Sequence, residues 1–333
     1  TGGGTGGHLA IVKAVKEALV AVKNEDLVYV GSTKGQDKQW FEHDDDFKEK
    51  YFFETRGVVN QGKLGKIKSL FMMGSATLKA VKILRKHKAK VVFSVGGFSA
   101  APMAFAAKLA GTPLVIHEQN AALGSLNKLL KPYANYFISS YLEESPIKAY
   151  PIKQIFFDNA HLRSKVKTII FLGGSQGARA INNLALEIAP KLKEKGIKII
   201  HQAGVNNIDE VQKAYEALGI EAEVFGFTTK LAEYMNEADF AIARSGASTL
   251  WELSATAVPT LYIPYPYAAS DHQYYNAQFL VEQNLVWIMR EKEISIDNVL
   301  KLLDEDLTSK SQGLIEIVEK EGSKKIAALL SQI

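Results

Sequence analysis

The feature that most limits how this chain can fold is a unit repeated along it: a short apolar run, a glycine-rich turn, then a run with helical periodicity. It occurs at Lys90–Val95 before Gly96-Gly97-Phe98-Ser99 and Ala100–Ala110. It recurs at Lys167–Leu172 before Gly173-Gly174-Ser175-Gln176-Gly177-Ala178 and Arg179–Lys195, and at Ala241–Ala243 before Arg244-Ser245-Gly246-Ala247 and a helix from near Ser248. Thr1–His8, TGGGTGGH, leads into the helical stripe of Leu9–Lys23. Such turns normally follow a strand, so one is expected ahead of Thr1. Strands alternating with helices throughout imply parallel sheets covered on both faces. Each turn sets a helix N-terminus at the carboxyl edge of a sheet, where unpaired N–H groups and about half a positive charge suit a phosphate or diphosphate. One helix end contributes only ~0.3–2 kcal/mol, so several pieces must converge on a site.

At 333 residues the chain exceeds the about 100–200 of one domain, so two are expected. The boundaries read as 1–150, 151–314 and a final amphipathic helix, 315–333, packing back across both. A net charge of +4 with 23% charged residues is too mild to imply nucleic acid, while a local basic patch can still address an anionic membrane. The absence of cysteine excludes disulfides and thiolate chemistry. No apolar run reaches the ~18–20 residues of a membrane span, so any membrane contact is expected to be peripheral.

The stretch Ala241–Asn276 carries the densest chemistry. Glu252, one turn into its helix, is placed to accept hydrogen bonds from a sugar diol. The strand Thr260–Ile263 ends in Pro264, Pro266 and the polar run Asp271-His272-Gln273, giving a pocket for a ligand with both phosphate and sugar. In the first half, His117-Glu118-Gln119-Asn120 stands at the end of the strand Pro113–Ile116, where open α/β sheets bind ligands. His8 closes the first turn and reads equally as a general base or as a helix-start hydrogen bonder. The first turn lacks the Lys-Ser/Thr ending of a P-loop, which argues against an ATPase or kinase. Asp44–Asp46 invites a metal reading, but carboxylates on a loop without a ligand cluster are usually solvated, and no metal is expected there. From Lys66 a helix carries Ile67, Leu70, Phe71, Gly74, Leu78 and Val81 on one face, for core or membrane, and Lys68, Met72, Lys79, Lys82 and Lys86 on a basic one.

Taken in order and spacing, TGGGTGGH, HEQNA, GGSQGA and RSGA followed by DHQYYNA resemble the MurG-type N-acetylglucosaminyltransferases of peptidoglycan synthesis. The likeness runs from Thr1 to at least Asn276. It implies an α/β GT-B fold, two Rossmann-like domains with parallel sheets facing across a cleft. It also implies UDP-N-acetylglucosamine (UDP-GlcNAc) as donor, lipid I as acceptor, and an inverting transfer that forms the β-1,4 bond of lipid II at the cytoplasmic face of the bacterial inner membrane. The family's substrate contacts fall on Thr5, Gly6, Gly7, Asn120, Ser175, Ala247, Ser248, Thr249, Leu250, Trp251, Glu252 and Gln273, with the backbone near Phe227 and Thr228 reading the uracil edge. Lys153 stands where the family usually has an Arg, which loses the bidentate fork; Arg163 is a substitute at the wrong spacing. His8 is the first candidate for the base and Glu118 the alternative, with Gly96–Ser99 helping to cradle the acceptor diphosphate. No cofactor is expected, a divalent cation being at most stimulatory. Rival readings are a soluble-acceptor UDP-sugar transferase, a UDP-GlcNAc 2-epimerase, and a non-catalytic membrane adaptor.

Overall fold

A computed structural model gives the fold, describing residues 1–22, 26–55, 63–158, 160–174 and 176–333, without the side chains of 63–68 and 70. Two compact units result, Thr1–Ile152 with Lys320–Ile333, and Lys153–Glu319. The first boundary falls two residues beyond the expected 150, and the tail joins the first unit from Lys320 rather than from 315.

The first unit runs α1 (Gly6–Val22), β1 (Val28–Ser32), α2 (Asp37–Phe41), β2 (Glu49–Phe53), α3 (Lys63–Lys86), β3 (Val92–Ser94), α4 (Ala101–Ala110), β4 (Leu114–Glu118), α5 (Ser125–Leu130) and β5 (Tyr136–Ser139). All pairings are parallel, β1 with β2 and β3-β4-β5 in a second group. Helix α1 forms because Leu9, Ile11, Val12 and Val15 recur at helical spacing and are buried. Thr1 bridges β1 and β3: its nitrogen donates to Phe93 O (2.8 Å), its carbonyl accepts from Val95 N–H (3.1 Å), and its hydroxyl donates to Val30 O (2.6 Å). A cavity of about 510 Å³ lined by Val28, Val30, Val92 and Phe93 adjoins it.

Asp46 is exposed as expected while Asp44 is half-buried, and both accept from the buried Lys16 ammonium, at 2.6 and 2.8 Å. A lysine on the inner side of α1 cannot stay charged without such partners, so these carboxylates serve the fold. On α3 the buried residues are Ser69, Ala76, Thr77, Ala80, Ile83 and Leu84, whereas Phe71 is 79% and Leu78 65% exposed. The face expected for core or membrane is therefore not core at these two positions; Ile67, Lys68 and Leu70 lie outside the described side chains.

The second unit runs α6 (Gln154–Asp158), β6 (Thr168–Leu172), α7 (Arg179–Glu194), β7 (Lys198–Gln202), α8 (Ile208–Ala217), β8 (Ala222–Phe225), α9 (Leu231–Glu237), β9 (Phe240–Ala243), α10 (Ala247–Ala255), β10 (Thr260–Tyr262), α11 (His272–Glu282), β11 (Trp287–Ile288), α12 (Ile296–Leu302) and α13 (Thr308–Ile317). Its parallel sheet has the order β11-β10-β9-β6-β7-β8. Chain direction through the sheet reverses between β6 and β9, the crevice at which doubly wound sheets bind ligands. The core packs Ile181, Leu184, Ile188 and Leu192 of α7 with Ile169, Phe171, Ile199, Phe240 and Ile242 of the strands. Each such side chain contributes about 1.5–3 kcal/mol on burial.

Arg163, considered as a ligand contact, is 1% exposed and donates to the carbonyls of Ala238 (2.7 Å), Thr256 (2.5 Å), His161 (2.8 Å), Met235 (3.3 Å) and Asn236 (3.2 Å). Four of these bonds cap the carbonyl ends of α9 and α10, where the helix dipole favours a cation, and the fifth ties down the chain at His161, so it is structural. The tail expected as one helix breaks at Val318–Glu321, with Glu321 left-handed at φ 64°, and resumes as α14 (Gly322–Ser331) against α1 in the first unit.

Candidate active site

In the first unit two glycine turns meet backbone to backbone. Gly97 has φ 77°, and a Cβ there would stand 2.5 Å from Gly3 O, so neither the conformation nor the space admits a side chain. Asp37, fully buried at the start of α2, fixes the first turn: its carboxylate accepts from Gly4 N–H (2.7 Å), Ser32 N–H (3.0 Å) and the Tyr29 hydroxyl (3.1 Å). Thr5, exposed, leads into α1 at Gly6 and Gly7, and His8 follows within the first turn of that helix. The His8 ring lies 2.9 Å through Nδ1 from Thr5 Oγ1, with Gln119 Nε2 at 3.0 Å from Nε2 and 3.2 Å from Nδ1.

Strand β4 delivers His117–Gln119 to the same edge. Glu118 is 2% exposed; Oε1 accepts from Asn120 N–H (3.0 Å), and Oε2 accepts from Gly124 N–H and the Asn127 amide (both 2.9 Å). A carboxylate with these three donors folds the 119–124 loop around itself and is poorly placed to take a proton from a substrate. Beside it His117 is fully buried, its ring 5.7 Å from that of Tyr150, and burial pushes its pKa down to about 3, with His8 adding to the effect.

In the second unit the turns after β6 and β9 flank the crevice. Gly177 (φ 79°) packs on the Gly204 turn, and Gln202 Oε1 accepts from Gly174 N–H at 3.2 Å. After β9 the ladder of α10 begins with Leu250 N–H to Gly246 O (2.9 Å), so the N–H groups of Ala247, Ser248 and Thr249 precede it, as helix geometry requires. Leu250 and Trp251 are buried, Trp251 stacked on Phe279, so they can contribute backbone only. Glu252 is half-buried, and loss of solvent pushes its carboxyl up to about 8 against the opposing pull of Lys153. Gln273 Oε1 accepts from Tyr265 N–H at 2.9 Å, and Arg244 donates to the carbonyls of Ile263 (3.0 Å) and Pro264 (3.1 Å) while paired with Glu291. Together they fix the loop after β10. Phe227 is 67% exposed on the loop after β8, and Thr228 Oγ1 accepts from Lys230 N–H at 3.0 Å.

Two half-sites of this kind, glycine turns with a histidine in one unit and a helix N-terminus with a carboxyl in the other, can be compared with known proteins. The N-terminal domain of glycosyltransferase family 28 matches residues 1–138, and the C-terminal domain of that family matches 168–332. The chain belongs to glycosyltransferase family 28. A relative from Sulfurovum sp. strain NBC37-1 is 76% identical over 99% of this chain and 97% of its own length; one from Wolinella succinogenes is 51% identical over 98% and 97%. Both are named UDP-N-acetylglucosamine–N-acetylmuramyl-(pentapeptide) pyrophosphoryl-undecaprenol N-acetylglucosamine transferase. The crystal structure of Acinetobacter baumannii MurG superposes with a TM-score of 0.82 at 25% identity, covering 100% of this chain and 98% of that one. SnogD from Streptomyces nogalater, at 15% identity and a TM-score of 0.65, shares the fold.

With the family 28 match the chain is a glycosyltransferase of GT-B architecture. The structure brings His8, Thr5, Gly6 and Gly7 to one edge with Glu118 and Asn120, and in the other unit sets Ala247–Glu252, Gln273 and Lys153 around α10. Ser175 lies outside the described residues. Sequence reasoning missed three supports. Asp37 was hidden in a polar loop; Asn127 stands nine residues from Glu118, beyond any local pattern; Gln119 stands in the ligand-edge run 117–120, but its contact with His8 spans 111 residues.

Proposed function

We propose that this chain transfers N-acetylglucosamine from UDP-GlcNAc to the 4-hydroxyl of the N-acetylmuramyl-pentapeptide in lipid I, forming lipid II with inversion. The observation that carries the reading is the 76% identity across 99% of the chain to a relative named for this transfer. In a single displacement the muramyl oxygen forms its bond to the anomeric carbon as the bond from that carbon to the UDP oxygen breaks, and the hydroxyl proton passes to a base. His8 takes that role, because both oxygens of Glu118 are engaged by Asn120, Gly124 and Asn127. The first-turn N–H groups of α10 meet the UDP diphosphate and offset charge on the leaving group. Glu252 accepts from the ribose hydroxyls, Gln273 with Asn120, Thr5, Gly6 and Gly7 contact the donor, Lys153 adds positive charge, and the backbone at Thr228 reads the uracil. No resident cofactor enters this reading, and a divalent cation would be a stimulant at most.

The acceptor is lipid-linked, and the reading places the enzyme peripherally on an anionic membrane at the cytoplasmic face. No helix among the described residues is long and apolar enough to cross a membrane. Phe71 and Leu78, seven residues apart on one side of α3, are exposed beside the exposed Lys79 and Lys82, a combination that supports reversible binding to an anionic leaflet. The deciding test is transfer of labelled GlcNAc to a short-chain lipid I analogue with linkage analysis. A β-1,4 disaccharide is expected; donor binding without that product overturns the reading.

A further inference from the structure

The contacts between Gln119 and His8 have an unusual geometry. The Gln119 amide nitrogen lies 3.0 Å from Nε2 and 3.2 Å from Nδ1 of the same ring. A nitrogen almost equidistant from both cannot lie in the ring plane, because on one side Cε1 and its hydrogen, and on the other the carbon edge, occupy the required position. It lies over the ring face. The in-plane lone pairs of the two ring nitrogens point well apart, so one amide N–H cannot serve both; it meets the π-face instead. Gln119 is 7% exposed, and its Oε1 has no hydrogen-bond partner among the described residues. The reverse orientation of the amide would set an oxygen lone pair against the same face, so the nitrogen belongs where it stands.

We propose that Gln119 is a positioning residue for the transfer reaction, its carboxamide N–H edge lying on the face of His8 so that the ring plane is fixed and the uncharged imidazole is favoured. The inference rests on His8 being the base. The face of a neutral imidazole is electron-rich and attracts the N–H edge; once the ring is protonated the same contact is repulsive. Thr5 Oγ1, 2.9 Å from Nδ1, fixes the ring in the second direction, and with Nδ1–H donating to it the basic nitrogen of the neutral ring is Nε2. The first turn of α1 also disfavours a charged ring, and the described acids nearby are engaged elsewhere. On β4, His117 is buried and uncharged, and Glu118 is turned to Asn120, Gly124 and Asn127. On α2, Asp37 is spent on Gly4, Ser32 and Tyr29.

The test is a ¹⁵N NMR titration of the His8 ring in the full-length protein without donor, alongside the pH profile of kcat/KM for transfer, in native protein and in Gln119→Glu and Gln119→Leu. Gln119→Glu puts a carboxylate on the ring face and raises the proton affinity of His8 at least tenfold, moving the acid limb of the profile to higher pH by the same amount. Gln119→Leu removes the amide, raises the affinity by a smaller factor and lowers kcat with KM for UDP-GlcNAc unchanged. Native-like His8 titration in both variants, each folded by circular dichroism, overturns the proposal. His8→Ala separates the two readings. If it keeps full turnover, the base assignment fails, while the NMR titration still reports whether Gln119 controls the ring.

Discussion

The Asn127 amide donates to the Glu118 carboxylate over 2.9 Å, and the backbone N–H groups of Asn120 and Gly124 donate to it as well, so both of its oxygens are engaged. This makes Glu118 the organiser of the loop after β4. Glu118→Gln turns an NH₂ group toward N–H donors and leaves buried donors unmet, at about 1–3 kcal/mol for each group so stranded. Its denaturation midpoint falls and the loop loosens. His8→Ala leaves the midpoint close to native and UDP-GlcNAc affinity largely intact, and lowers turnover about 10²–10⁴-fold. Urea denaturation and steady-state kinetics on the two variants decide it; a stable Glu118→Gln with the larger loss of turnover would return the base role to Glu118.

Glu252 titrates at about 8 through loss of solvent, with Lys153 pulling it the other way. At pH 7 the ligand-free carboxyl is mostly protonated, whereas hydrogen bonds from a ribose diol favour the carboxylate. UDP affinity therefore rises from pH 7 toward 9 and levels off above the ligand-free pKa. Lys153→Met moves the rise to higher pH, and Glu252→Gln abolishes it. The folded pKa lies above the ordinary 4.5, so folding is disfavoured progressively as pH rises from 4.5 to about 8, and Glu252→Gln raises the thermal midpoint of the ligand-free protein at pH 8. Calorimetric titration with UDP across this window checks the sign.

His201 sits between Tyr215 and Asn182 with its tautomer fixed. Asn182 Nδ2 donates to Ala203 O (3.1 Å), so Asn182 Oδ1 accepts Nε2–H of His201 (3.0 Å) and Nδ1 accepts from the Tyr215 hydroxyl (2.9 Å). A second proton on this ring would turn the Tyr215 hydroxyl from donor to acceptor and place a charge out of reach of solvent, and burial lowers the pKa to about 3, as it does for His117. Between pH 6.5 and about 3 the unfolded chain binds a proton at each histidine that the folded chain refuses. Stability is therefore complete above 6.5 and falls below it, by about 1.4 kcal/mol per pH unit for each ring. Urea midpoints measured from pH 7 to 5 show this slope, and His201→Gln removes one histidine's share whatever it does to the midpoint at pH 7.

The alternation of strands and helices, and the turns that open α1, α4, α7 and α10, were legible because glycine and apolar runs act locally. The roles of Arg163 and of Asp44 with Asp46 were not. Arg163 finds four of its five carbonyls on segments 72 to 93 residues away, and the two aspartates neutralise a lysine on a helix that sequence spacing cannot place beside them. The tail misread has the same origin. Its apolar period runs through Val318–Glu321, but Gly322 packs against the Ala149 and Tyr150 carbonyls, so close backbone contact sets where α14 begins. Among the candidate residues, Glu252 and His8 each stand in a single local motif, whereas the supports Asp37, Gln119 and Asn127 depend on contacts between elements.

On α3, Phe71 and Leu78 remain exposed although the same helix buries Ala76, Ala80, Ile83 and Leu84. A packed helix would be expected to hide its phenylalanine before its alanines, so the orientation is informative: the small residues allow α3 to lie against α4 while the large ones face outward. Inserting a Phe or Leu side chain into a leaflet contributes roughly 1.5–3 kcal/mol, and each lysine near an anionic surface about 1 kcal/mol. Lys79→Glu with Lys82→Glu therefore weakens binding to vesicles containing anionic lipid at least tenfold, and Phe71→Ser with Leu78→Ser does so at any salt concentration. Both pairs spare turnover of a short-chain soluble acceptor, because α3 supplies none of the residues proposed to contact substrate. Vesicle co-sedimentation at low and high salt distinguishes the two contributions, the lysine effect fading as salt screens the surface and the apolar effect persisting. Unchanged binding in both double variants would remove α3 from the membrane face.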